Sequence, residues 1–204
     1  AEQPDSFMTS AIVTTEGATN PEYAYTTGRI DTAHHFARTY GRMDVRARFP
    51  VAPGLWYAIW ARPWASVFPE IDVEVLAKTV PEVWFVNHWA GGSLPPEERR
   101  KALKVASIDP TAFHVYSVIW KPGILEWEID GTKFMDSTRG VPTTPVQWTI
   151  NSWVGGWAGT PSPTTQFPTS YDVDYIRVYR QDGLLGAPAI HVTDFSRHGG
   201  APYN

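Results

Sequence analysis

The chain has 204 residues, no cysteine and a formal net charge of -4, from 17 basic and 21 acidic residues. Without cysteine there is no thiolate nucleophile, cysteine-ligated zinc or redox pair, and the mixed, slightly acidic charge argues against a nucleic-acid partner. A chain of this length fits one domain and can bury a core without disulfides.

The N-terminal residues Ala1–Pro4 carry neither a basic patch nor the apolar core of a signal peptide. No segment approaches the run of about 18 apolar residues that spans a membrane. We therefore expect a soluble, already processed chain with no membrane partner.

A two-residue alternation of apolar and polar residues dominates the chain, and this period is typical of half-buried β-strands. From Tyr40 to Phe49, apolar residues occupy one face, while three arginines and Asp44 occupy the other. The same period predicts strands at Glu70–Ala77, Val83–His88, His114–Trp120, Leu125–Ile129, Val146–Val154 and Tyr171–Tyr179. Seven or more such strands predict an all-β sandwich of two antiparallel sheets.

Turn residues support this interpretation. Pro122-Gly123 and Asp130-Gly131 separate consecutive strands and predict two tight hairpins. The charged run Glu97–Lys101 predicts a solvated loop or a single helical turn. From Gln181 the composition changes to Gly, Pro, Ser and His, so we expect a domain over residues 1–180 and a C-terminal tail or linker over residues 181–204.

Three acids alternate with apolar residues in Glu70-Ile71-Asp72-Val73-Glu74, so they share one strand face. Neighbours on one face lie about 6.6 Å apart, where like charges repel, and folding alone does not favour this pattern. Retaining glycoside hydrolysis needs two carboxyl groups about 5 to 5.5 Å apart. In that role we expect Asp72 to raise the pKa of the acid that must stay protonated. A calcium site or a row of solvated acids is the alternative.

The Glu-x-Asp-x-Glu segment resembles the signature of glycoside hydrolase family 16, the family of laminarinases and lichenases. The resemblance implies a β-jelly roll in which Glu70 is the nucleophile, Glu74 the general acid and base, and Asp72 an assisting residue. Further segments similar to the family are Tyr25–Thr32, Tyr40–Arg42, Phe49-Pro50, Phe113–Gly123, Trp127–Gly131, Asn151–Trp153 and Asp174–Tyr179.

The same resemblance implies sugar contacts for Arg29, Asn151 and Trp153. His88 follows the acidic strand and is expected to bind substrate or tune a carboxylate. Aromatic rings in or beside loops and strand ends are candidates for stacking on sugars, namely Trp60, Trp64, Trp89, Trp153 and Trp157. We expect Trp120 and Trp127 to pack in the core.

No cofactor is required by this chemistry. The family often carries a structural calcium ion with an Asp of the last strand as ligand, which would be Asp174. A solvated strand face explains Asp172 and Asp174 equally well.

We therefore expect a retaining endo-β-glycanase that hydrolyses internal β-1,3 and/or β-1,4 linkages of a linear β-glucan in a concave groove. The same chemistry on a β-galactan or a capsular polymer is one alternative, and a non-catalytic carbohydrate-binding jelly roll is another. We expect a monomer in an extracellular or secreted location, with a virion-associated location left open.

Overall fold

The computed structural model describes residues 11–12, 25, 27–91, 100–105, 108–180 and 190–193. Within these residues the chain forms thirteen strands in two antiparallel sheets and one short 3-10 helix, Gly156–Ala158. No helix in this part of the chain is long and apolar enough to cross a membrane. The predicted all-β sandwich is confirmed.

The first sheet has seven strands and places the acidic segment among neighbours on both sides. In spatial order it contains β1 (Ala11–Ile12), β2 (Arg29–Asp31), β11 (Val146–Val154), β4 (Leu55–Pro63), β5 (Glu70–Ala77), β6 (Glu82–His88) and β7 (Arg100–Val105).

The second sheet has six strands and packs behind the first. Its order is β10 (Thr132–Ser137), β9 (Ile124–Ile129), β8 (His114–Lys121), β3 (Gly41–Arg48), β12 (Asp172–Tyr179) and β13 (Ile190–Thr193). Both predicted hairpins are present. Gly123, Asp130 and Gly131 have φ of 78°, 50° and 78°, which is the left-handed backbone that tight β-turns require.

The core lies between the sheets and includes Val45, Val73, Phe85 and Trp127, each at most 1% exposed. Full burial of each such apolar side chain stabilises the fold by about 1.5–3 kcal/mol. The Trp127 indole N–H crosses the core and donates a 3.0 Å hydrogen bond to the carbonyl of Asp72. The predicted packing role of Trp127 is confirmed, and it anchors the acidic strand from beneath.

Trp120 is also buried, at 3% exposure, and its indole N–H donates to the carbonyl of Pro142 at 3.0 Å. Its predicted packing role is likewise confirmed. In both Trp120 and Trp127 the buried indole nitrogen therefore has a carbonyl partner, as burial of a polar group demands.

Strands β4 and β7 were missed by the two-residue pattern. β4 is buried along nearly its whole length, so apolar residues occupy both faces and no alternation is visible. In β7, exposed charged residues open an edge strand, a common feature of sheet edges. The expected loop or helical turn is therefore wrong for Arg100 and Lys101, whereas residues 97–99 lie outside the described part of the chain.

The predicted tail contains one described segment. Ile190–Thr193 pairs antiparallel with β12, with Val178 opposite Ile190 and Tyr175 opposite Thr193. This segment is an edge strand of the second sheet. The other residues of the predicted tail lie outside the described part of the chain, and a domain boundary at residue 180 stays a prediction.

Candidate active site

The three acids lie on the face of the first sheet that points away from the core, called here the acid face. Ile71 and Val73, which alternate with them, are buried in the core at 0% and 1% exposure. In the strand register, Asp72 is opposite Trp60 of β4, and Glu70 is opposite His88 of β6. Because cross-strand partners share a face, these side chains belong to one site.

Burial sets the protonation of the acids. Asp72 and Glu74 are only 2% and 8% exposed. Burial raises the pKa of Glu74 to about 7, the Trp56 indole N–H that donates to its Oε2 lowers it, and the charge of Glu70 raises it. Glu74 therefore keeps its proton at near-neutral pH, as a general acid must.

Glu70 has a different electrostatic environment. Burial raises its pKa, but the positive charge of Arg62 opposes this. In the antiparallel register Arg62 lies one residue beyond the pair Ala61–Ile71, which sets it beside Glu70. A neighbouring guanidinium favours the ionised carboxylate, which is the form a nucleophile needs.

Asp72 acts differently from the expectation. Burial, followed by the charges of Glu70 and Glu74, raises the pKa of Asp72 well above its ordinary value. The expected cause of the raised Glu74 pKa, a charge on Asp72, is therefore wrong. Desolvation of Glu74 itself is the main cause of its raised pKa, and the raised pKa of Asp72 disfavours a third negative charge in the site.

His88 lies next to Asp72, with 3.8 Å between His88 Nε2 and Asp72 Oδ2. Burial lowers the pKa of His88, and the charge of Arg100 lowers it further. Asp72 Oδ2 has no hydrogen-bond partner in the structure. Glu70, Asp72 and His88 form a group of three side chains that could together hold a metal ion, since their possible ligand atoms all lie within 4.8 Å of one another. Within the described ranges no other three His, Asp or Glu side chains form such a group.

Three of the predicted sugar-binding residues form one connected patch. The Trp60 indole N–H donates to Asn151 Oδ1 at 2.7 Å. The Arg29 guanidinium lies 5.4 Å from the Trp60 ring centroid, and its Nε donates to Asp31 at 2.9 Å. Trp60 was expected in a loop or strand end, and this is wrong, since it lies inside β4 and is 8% exposed.

Four tryptophans border Glu74 and are called here the aromatic rim: Trp56, Trp84, Trp153 and Trp157. The ring of Trp56 lies 4.8 Å from that of Trp153 and 6.1 Å from that of Trp157, and Trp157 stacks on Trp84 at 5.9 Å. Sequence reasoning missed Trp56 and Trp84. Trp56 is four residues before Trp60 in a strand, which places both on one face, but β4 was not recognised.

The position of Trp157 depends on the glycines around it. Gly155 and Gly159 have φ of 89° and 84°, which only glycine adopts readily. A Cβ on Gly156 would lie 3.3 Å from the Trp56 ring. These glycines let the short 3-10 helix lie against Trp56, which brings Trp157 to the edge of the acid face.

Two of the candidate rings contact other partners. Trp64 is 57% exposed and packs edge-on against His34, with 3.7 Å between ring centroids. Trp89 lies under the Arg139 guanidinium at 4.9 Å. A sugar contact by Trp64 stays a prediction.

The predicted metal ligand, Asp174, lies on β12 of the second sheet. Its Oδ2 accepts a 2.5 Å hydrogen bond from Arg46. Calcium takes 6–8 oxygen ligands, and among the described residues Asp174 belongs to no group of three candidate ligands. The donor set seen here is therefore incomplete, and the calcium ion stays a prediction.

A cavity of about 580 Å³ lies at the far end of β11, away from the three acids. Trp153 lines it together with Tyr25 and Phe167, which are 44% and 43% exposed. Trp153 therefore belongs both to the aromatic rim and to this cavity.

The amino-acid sequence of the chain matches a known protein family. The profile of the family described as Glycosyl hydrolases family 16 matches residues 5–177. The chain is 30% identical to a glucan endo-1,3-beta-glucosidase A1 of Niallia circulans, over 77% of this chain and 26% of that protein. It is 32% identical to the endo-1,3-1,4-beta-glycanase ExsH of Rhizobium meliloti (strain 1021), over 78% of this chain and 34% of that protein.

A solved structure agrees with these sequence matches. The catalytic domain of an endo-1,3-beta-glucanase (laminarinase) from Thermotoga petrophila RKU-1 superimposes with a TM-score of 0.67 and 30% identity, over 78% of this chain and 70% of that chain. The chain spans about a quarter to a third of the length of the two curated relatives.

Proposed function

Because the chain belongs to glycosyl hydrolase family 16, we propose that it is a retaining endo-acting β-glucanase that cleaves internal β-1,3 and/or β-1,4 linkages. One observation carries the proposal. Glu70 and Glu74 share a strand face, yet an arginine lies beside Glu70, while burial raises the pKa of Glu74 to about 7. Glycoside hydrolysis requires two carboxyl groups in different protonation states, and the unlike surroundings of Glu70 and Glu74 favour this difference.

In the first step, Glu70 attacks the anomeric carbon and forms a covalent glycosyl ester. The bond from that carbon to the leaving oxygen breaks, and Glu74 transfers its proton to this oxygen. Glu74 starts protonated because of its burial, and it leaves the step as a carboxylate next to the Trp56 indole N–H.

In the second step, Glu74 takes a proton from water while the water oxygen attacks the anomeric carbon. The ester bond to Glu70 breaks and Glu70 returns to a carboxylate. Two inversions at one carbon retain its configuration. Asp72 lies buried between them with a raised pKa, and in its protonated form it supplies an O–H donor without adding a charge.

Substrate binding is assigned to the acid face. Trp60, Asn151 and Arg29 extend the site across β4, β11 and β2, while His88 extends it across β6. A glycan chain that lies across these strands would be cut internally. Such a polymer does not cross a membrane, so the proposal includes an extracellular location, which the detection of the full-length protein in the medium would test.

Product analysis on laminarin, mixed-linkage glucan and a soluble β-galactan tests the activity. Wild-type protein should release oligosaccharides from a β-glucan, with the anomeric configuration retained by proton NMR. Glu70→Gln should abolish release. Glu126→Gln is the matched control, since Glu126 lies on the second sheet and pairs with Lys121 and Lys133. Binding without cleavage by wild type would favour a carbohydrate-binding module instead.

A further inference from the structure

Two arginines lie on the acid face in the same cross-strand row as Glu70. A single row of cross-strand neighbours contains Arg62, Glu70, His88 and Arg100, on β4, β5, β6 and β7. Within the described ranges neither Arg62 nor Arg100 forms an ion pair, and Arg62 Nε is buried without a hydrogen-bond partner. We call Arg62 and Arg100 the arginine rim.

Several other cations of the structure form ion pairs with acids. At the opposite edge of the acid face, Lys78 and Lys104 both bind Glu82, at 3.0 and 2.7 Å. On the second sheet the exposed Arg46 and Arg48 pair with Asp174 and Asp172 at 2.5 and 2.7 Å. Arg38, Arg139 and Arg177 lie over aromatic rings and form no ion pair among the described residues either. What sets the arginine rim apart is its place on the acid face, in one row with Glu70.

The half-buried Arg62 guanidinium would gain free energy by binding a hydrogen-bond acceptor. A buried donor without a partner destabilises the protein, and a ligand oxygen would remove that cost. The Arg62 guanidinium lies 5.1 Å from the Trp60 ring centroid, and that of Arg29 lies 5.4 Å from it. The ring thus orients Arg62 without neutralising it.

We propose that Arg62 and Arg100 bind anionic substituents of the polysaccharide, so that the enzyme prefers an acidic β-glycan to a neutral one with the same backbone. The planar guanidinium fork matches both carboxylate and sulfate oxygens. The two arginines are three strand spacings apart, roughly 14 Å, so each contacts a different sugar unit. This inference rests on the proposed glycanase activity.

Arg62 also acts on Glu70, and the experiment must separate this effect from the binding of an anionic substituent. Its charge stabilises the Glu70 carboxylate, so its loss would slow cleavage of neutral and acidic chains alike. Binding of a substituent affects acidic chains alone, and mainly through KM. Arg100 lies on β7, two strands away from Glu70 on β5, and is opposite His88 rather than Glu70, which makes Arg100→Gln the cleaner variant.

The experiment compares laminarin with lightly carboxymethylated laminarin and lightly sulfated laminarin. Wild type should show a kcat/KM about tenfold higher on at least one charged polymer, and raising the salt from low ionic strength to 0.5 M should reduce this preference. Arg62→Gln and Arg100→Gln should lose it through KM, and Arg100→Gln should keep its activity on laminarin. Arg48→Gln, the same charge change on the second sheet, should behave as wild type.

Three results would overturn the inference: equal or lower activity of wild type on both charged polymers, an equal loss in Arg48→Gln, or losses in the rim variants that are the same on neutral and charged chains. The relative size of the carboxymethyl and sulfate effects identifies the anion. Failure of wild type to cleave any of the three polymers, while it cleaves no other β-glucan, would instead contradict the proposed function.

Discussion

The two edges of the acid face differ in chemistry although they border carboxyl groups of the same residue type. At the Glu74 edge lie four tryptophans and an ion-paired cluster of Glu82, Lys78 and Lys104. At the Glu70 edge, the arginine rim leaves positive charge in place. Burial raises the pKa of Glu74 to about 7, whereas the charge of Arg62 opposes the rise that burial causes in the pKa of Glu70, so the two borders distinguish the two roles.

This difference also explains why Glu82 is not a third catalytic candidate. It lies on β6 at the same end of the acid face as Glu74, but hydrogen bonds from Lys104, Trp84 and Lys78 lower its pKa to about 2. An acid that is permanently ionised and fully occupied by donors cannot deliver a proton near neutral pH.

The largest effect is expected from removing the acid at the aromatic edge. Glu74→Gln should lower kcat on β-glucan about 10²–10⁴-fold, because the leaving oxygen then receives no proton. Aryl glycosides with a good leaving group should lose much less in the first step. Steady-state and burst kinetics on both substrates measure this, and equal losses in that step would contradict the assigned role.

Loss of a rim tryptophan should have an intermediate effect. Trp157→Ala removes a ring that stacks on Trp84 and contacts Trp56, and we expect KM to rise about three- to tenfold while kcat changes less. Trp64→Ala removes a more exposed ring from outside the aromatic rim. If both variants changed KM equally, the aromatic rim would have no special part in binding.

Asp72→Asn should stabilise the protein while it lowers activity. Burial raises the pKa of Asp72, so the folded state holds the proton more tightly than the unfolded state does. Its contribution to stability is therefore greatest below the unfolded pKa and is lost as pH rises towards the folded pKa. The gain should be about 1 kcal/mol at neutral pH, or roughly 2–4 °C in Tm.

The Asp72→Asn gain should vanish at acid pH, where the wild-type carboxyl is protonated in both states. Thermal unfolding of both proteins across pH 3–8 measures this. A Tm difference that stays constant across this range would show that the effect does not arise from ionisation of Asp72.

The smallest effect concerns the pH profile. The Trp56 N–H stabilises ionised Glu74 and lowers its pKa, against the larger effect of burial. Trp56→Phe should therefore raise this pKa and move the basic limb of the kcat/KM profile upward by less than about one pH unit. Trp84→Phe is the control, because the Trp84 N–H donates to Glu82 instead. A downward shift of the basic limb in Trp56→Phe would contradict our interpretation that the Trp56 N–H lowers the pKa of Glu74.

The local sequence pattern was sufficient to predict the acidic strand and the two hairpins. A period of two places Glu70 and Glu74 on one face whatever the rest of the chain does, and Asp130-Gly131 forms a tight turn from its own backbone preferences. The same reasoning failed for β4, where Leu55 and Trp56 are both apolar because one faces the core and the other faces the aromatic rim.

The sequence by itself determined which residues can ionise and which side of a strand they occupy, because these properties depend only on side-chain type and backbone period. The tertiary structure decided which residues border each acid. Arg62 and Trp84 come from two different strands and meet Glu70 and Glu74 only through sheet register. Burial and charge at each carboxyl arise from those neighbours, so protonation, and with it the division of labour between Glu70 and Glu74, depends on the folded sheet.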